Sequence, residues 1–169
     1  MKKSFLLMYA MVIIFTIACQ PSAHQTEAVE STHSSFTTSG EDIELLKRFI
    51  NSFVSGDWET YRSCLADSVY YGHNIWLNDD LAKTPSDIIV ENHRLAREER
   101  WDGMSVNPDA IYEVVTDDNG NKFGHVWCQL STLSRTTGND ISITLFGSYW
   151  IKDNKIHSEW ALYDRSTLE

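Results

Sequence analysis

The stretch IYEVVTDDNGNKFGHVWCQLSTLSRTTGNDISITLFGSYWIKDNKIHSEWALYD, residues 111–164, decides the fold. Its period is two, and it divides into four strand-like runs at 111–116, 122–135, 141–152 and 155–164. Between the runs lie residues 117–121, residues 136–140 and the pair Asp153-Asn154. All three are polar turn sequences, and Asn119-Gly120 is the strongest hairpin signal among them. Long strands joined by tight turns make an antiparallel meander.

Upstream the period changes to that of a helix. Ser39-Gly40-Glu41-Asp42 has N-cap character, with acids where the helix dipole favours them. Ile43, Leu46, Ile50, Phe53 and Val54 then recur at helical spacing, and Ser55-Gly56-Asp57 stops the helix and caps the next. A short second helix carries Trp58, Tyr61 and Leu65 to about Ala66. Residues 67–73 read as a strand and residues 74–83 as an Asn/Asp-rich loop. Thr84-Pro85-Ser86-Asp87 starts a third helix that runs to Arg100 or Trp101. Its many charges read as a solvated face. Helices first and sheet last give the α+β class.

The chain has 169 residues and a formal net charge of −10. Such a balance excludes a nucleic-acid binder, which needs a basic face. It also excludes electrostatic attachment to an anionic membrane. The start is of another character. Lys2 and Lys3 precede an apolar run from Phe5 to Ala18, which is shorter than the ~20 residues a membrane span needs. The run ends in Thr16-Ile17-Ala18-Cys19, which resembles a bacterial lipobox, although Thr16 stands where leucine is usual. The expected organisation is a lipoprotein signal over residues 1–19, a flexible tether over 20–40 and a folded domain over 41–169. Lipid on Cys19 would hold the protein in the bacterial cell envelope, facing the periplasm or the cell surface. Cys64 and Cys128 then remain, with no metal-like spacing, and read as buried free thiols.

Three stretches carry a further resemblance. They are Phe49-Ile50-Asn51-Ser52-Phe53-Val54-Ser55-Gly56-Asp57-Trp58, Leu65-Ala66-Asp67-Ser68-Val69-Tyr70-Tyr71, and Lys155-Ile156-His157-Ser158-Glu159-Trp160-Ala161-Leu162-Tyr163-Asp164. In this order they resemble the SnoaL-like branch of the nuclear transport factor 2-like family. The resemblance implies a cone: a curved antiparallel sheet wrapped around three N-terminal helices, with a conical pocket inside. It also implies a sheet face that forms homodimers.

That pocket is where chemistry is expected. Asp164 matches the aromatic-Asp end of the family's last strand, and by strand parity it shares a face with Ile156, Trp160 and Leu162. With His73 and His125 it makes the candidate acid–base set. Glu159 is expected on the outer face. Trp58, Tyr61, Tyr71, Trp76, Trp127 and Trp160 are the candidate ligand-binding aromatics. No metal or cofactor motif occurs, so none is expected. The favoured function is binding of a small apolar or aromatic ligand. The alternatives are a cofactor-independent isomerase, cyclase or dehydratase, and an association module with an incidental pocket. Metabolic labelling with a radioactive fatty acid tests the leader: wild type takes up label, and Cys19→Ser abolishes it.

Overall fold

The computed structural model describes residues 34–73 and 82–164. Cys19 and Trp76 lie outside the described residues. The chain divides into two compact units, residues 1–32 and 33–169, and only the second is described here.

Within that unit β1 (Ser35–Thr37) leads to α1 (Glu41–Ser55) and α2 (Trp58–Cys64). Next come β2 (Leu65–His73), β3 (Lys83–Pro85) and α3 (Ser86–Arg100). The chain closes with β4 (Trp101–Val106), β5 (Ile111–Thr116), β6 (Lys122–Ser134), β7 (Asp140–Lys152) and β8 (Lys155–Tyr163). These strands form one curved sheet in the order β1-β5-β6-β7-β8-β2-β3, with β4 also paired to β6. The three helices and the meander are those the sequence predicts. Three short strands are additions: β1 pairs with Val114–Thr116, β3 pairs with Ser68–Tyr70 of β2, and β4 pairs with the far half of β6.

The sheet is not antiparallel throughout, because β2 runs parallel to β8. No tight turn joins these two strands. The long connection between them holds α3 and the meander, so the hairpin rule does not fix their relative direction. Between β7 and β8 the rule does apply. Asp153 and Asn154 have φ of 52° and 53°, as a two-residue type I′ turn requires.

Packing follows from α1. Its buried face presents Ile43, Leu46, Phe49 and Ile50 to the concave side of the sheet, where Val126, Ile151 and Ile156 wait. Gly56 ends the helix in the left-handed region at φ 76°. From α3 the Arg97 guanidinium donates to the Val54 carbonyl at 2.9 Å, which ties the end of α1 to α3.

One irregularity sets the rest. Trp150 pairs with Ser158 and Ile151 with Ile156, so His157 is an extra residue on β8. A bulge of this kind reverses the inward–outward alternation beyond it. Ile156 faces the core, but past the bulge it is Glu159, Ala161 and Tyr163 that point inward, while Trp160 and Leu162 turn outward. The expected grouping of Ile156 with Trp160, Leu162 and Asp164 assumed unbroken alternation, and the structure corrects it.

Candidate functional site: a buried carboxylate in an aromatic cavity

Two rows of side chains cross the concave face. Tyr149, Glu159 and Tyr71 lie side by side on β7, β8 and β2. One step along, the row is Gly147, Ala161 and His73. Ala161 in the second row leaves space, which α3 does not fill because it faces the space with Ala96. The result is a cavity of about 200 Å³ between sheet and helices. That volume suits a compact ligand of about one ring, given that a ~150 Å³ apolar cavity accepts benzene. Phe49, Phe53, Leu130, Ile143 and Leu145 give it apolar walls. Gly147 is required here, because a Cβ on it would meet the ring of Tyr149, at 2.6 Å from Cζ.

Glu159 is 5% exposed and His93 is 8% exposed. A buried charge is costly unless it is hydrogen-bonded, and five contacts close a ring around these two groups. His73 Nε2 lies 3.3 Å from Glu159 Oε1, and the Tyr61 hydroxyl lies 3.3 Å from Oε2. His93 Nδ1 is 2.6 Å from the Tyr61 hydroxyl, and its Nε2 is 2.9 Å from that of Tyr71. A 3.4 Å contact between the Tyr71 hydroxyl and His73 Nδ1 completes the circuit. The members come from α2, β2, α3 and β8, so the ring exists only in the folded chain.

Counting protons shows what the ring can do. Five contacts need five hydrogens. With Glu159 ionised and both imidazoles neutral, the two tyrosines and two histidines supply four. Either direction of donation around the ring leaves one long contact bare: Tyr71–His73 in one sense, Tyr61–Glu159 in the other. One further proton closes the ring and makes it electrically neutral. In that protonation state the ring has room for one more hydrogen.

The electrostatics favour the ionised carboxylate and the neutral His93 imidazole, and so oppose uptake of that further proton at either group. Burial acts to raise the Glu159 carboxyl, but His93, His73 and Tyr61 together outweigh it and hold Glu159 below the usual carboxylate value of 4.5. Burial is also the main influence on His93 and pushes its imidazole below 6.5, against the opposing pull of Glu159. Burial drives the Tyr61 and Tyr71 hydroxyls upward, with Glu159 adding to the effect, so both remain protonated donors. His73, His93 and Glu159 also offer three potential metal-ligand atoms within 4.8 Å of one another. A tyrosine hydroxyl already engages each nitrogen of His93, so an ion would have to displace one of them.

Of the residues singled out in the sequence, Tyr61, Tyr71 and His73 meet at this cavity. Trp58 packs edge-on against Phe53 and Tyr61, outside the lining. His125, Trp127 and Trp160 lie on the opposite, convex face with Phe146. There His125 sits 3.3 Å from Glu113. Asp164 is exposed just beyond β8 and does not line the cavity. The bulge at His157 accounts for both reversals on β8. His93 was hidden among the charges of α3, although the spacing of Ser86, Ile89 and His93 marks that helix's buried side.

Because His93 is held neutral in the fold but takes a proton readily when unfolded, acid favours unfolding. Its stabilising contribution is complete above pH 6.5 and is lost as pH falls through the depressed value. Glu159 has the same sign in the window below 4.5. Thermal melts across pH 7.5 to 5 are expected to show a declining midpoint for wild type and a flatter profile for His93→Gln. Parallel profiles would contradict this assignment.

No family profile matches the chain. No curated protein matches it either. Solved structures do match. An epoxide hydrolase of the LEH-like kind from M. tuberculosis superposes with a TM-score of 0.52 at 14% identity, covering 76% of this chain and 86% of that one. A nuclear transport factor 2-like protein from Burkholderia xenovorans gives 0.57 at 12%, covering 78% and 96%. A protein of ketosteroid isomerase-like fold from Catenulispora acidiphila, solved with trimethylamine, gives 0.57 at 9%, covering 74% and 88%. At these identities the likeness speaks for architecture alone. The chain carries a pocket-bearing domain of the nuclear transport factor 2-like fold.

Proposed function

We propose that this domain is a cofactor-independent acid–base enzyme acting on a small, largely apolar substrate. The observation that carries the reading is the ring of Glu159, His73, Tyr71, His93 and Tyr61 at the wall of an apolar cavity. A C–H next to a substrate carbonyl would lose its proton to the Glu159–His73 side of the ring. The electron pair would pass to the carbonyl oxygen, and Tyr61 or Tyr71 would have to release its bond within the ring to donate to it there. The same proton would then return to another atom of the substrate. Return to a second carbon is isomerisation, and return to a departing hydroxyl is dehydration. Neither step needs an oxidant or reductant. Burial by the apolar walls works toward the neutral ring, against the pull of His93, His73 and Tyr61 that keeps Glu159 ionised.

This reading replaces a purely ligand-binding role, which requires no buried carboxylate. The epoxide hydrolase among the structural neighbours shows that the fold hosts catalysis. We place the enzyme in the bacterial envelope through lipid on Cys19. The convex cluster of Phe146, Trp127 and Trp160 is the surface that a homodimer would use.

The test is proton exchange with ring-sized ketones, for which cyclohexanone and 3-cyclohexen-1-one are suitable probes. In deuterated buffer, wild type is expected to exchange the protons beside the carbonyl and to convert the second probe to its conjugated isomer. Glu159→Gln should slow both by about 10²–10⁴-fold. Wild type and variant behaving alike on both probes would refute the proposal.

A further inference from the structure

The cavity has a second polar end. Along α3, Asn92, His93, Ala96 and Arg100 all contribute to its lining. His93 is buried, whereas Asn92 and Arg100 are exposed, so these two stand at the rim. Seven residues separate His93 from Arg100. At 1.5 Å rise per residue, they lie about 10 Å apart along the helix axis. Ala96 sits between them on the same face and leaves the space in front of the helix open.

Arg100 differs from the other arginines of its region. Arg62 binds Asp87, Arg94 binds Glu91 and Glu98, Arg97 binds the Val54 carbonyl and Arg135 binds Asp102. Among the described residues the Arg100 side chain has no such partner. Among the described residues it is also the one lysine or arginine lining the cavity, on a chain whose net charge is −10. Its place in the last turn of α3 suits the helix dipole. That explains why a cation stands there, but not why it borders the cavity unpaired.

From this arrangement we infer that the substrate is a small carboxylate, with its anionic group on Arg100 and its apolar body reaching down to the Glu159–His73 pair. This rests on the reading of the cavity as a substrate site and adds the substrate class to it. The spacing sets a ruler: the carboxylate and the reacting carbon are separated by a compact apolar body of one ring or less. Orientation follows from charge. A carboxylate entering first would meet ionised Glu159, whereas one held at the rim meets a guanidinium able to bind it through two parallel hydrogen bonds.

Calorimetric titration of the full chain with 3-phenylpropionate and its neutral amide tests the inference. Wild type is expected to prefer the carboxylate by about tenfold. Arg100→Gln should bring the ratio close to one while leaving the amide unchanged, and Arg100→Lys should restore part of it. Equal binding of the two probes by wild type, no binding of either, or a preference that survives Arg100→Gln would overturn the inference. Glu159→Gln separates this from the proposed chemistry. The variant should keep the carboxylate preference, so a failure of proton exchange leaves the anchor standing, and the reverse also holds.

Discussion

A carboxylate without water needs partners, and Glu159 is nearly without water. Much of the architecture answers that requirement. Glu159 cannot be satisfied by its own strand, so it draws on Tyr61 from α2 and His73 from β2. Those groups are in turn fixed through His93 on α3 and Tyr71 on β2. Helices and sheet are thus joined by polar contacts as well as by the apolar packing of α1. Removing one member would leave the others buried and partly unbonded, which costs more than the bond itself contributes.

The cavity follows from the same face of the sheet. Small side chains at Ala161 and Ala96 keep space open beside the ring, and Gly147 lets Tyr149 lean over it to close one wall. A larger residue at either alanine would fill the space that a substrate needs. The mouth carries Asn92 and Arg100, and the deep end carries the ring. An apolar passage between two polar ends fixes the direction in which a molecule lies.

The meander and the three helices were legible because their periodicities and turn residues agree at every level. Asp153-Asn154 reads as a hairpin turn and adopts its positive φ values. The site was only half legible. Tyr71 and His73 share a strand face by simple alternation, and Tyr61 belongs to an apolar helical stripe, so all three fell on the correct side. Asp164 and Trp160 did not. The single extra residue at His157 reverses the strand, and nothing in Lys155-Ile156-His157-Ser158 announces a bulge. That reversal is what brings Glu159 inward. His125 and Trp127 were read correctly as one face of β6, but alternation does not say which face is concave. His93 was obscured by arginine and glutamate neighbours whose charges point away from it.

The ring holds His93 neutral and hydrogen-bonded at both nitrogens. Nitrogen-15 NMR of the histidine rings across pH tests it most directly. His93 is expected to remain neutral as pH falls through 6.5, with one protonated nitrogen that exchanges slowly with water. An imidazolium at His93 already formed at pH 6.5, or a ring proton exchanging as freely as in a surface histidine, would contradict it.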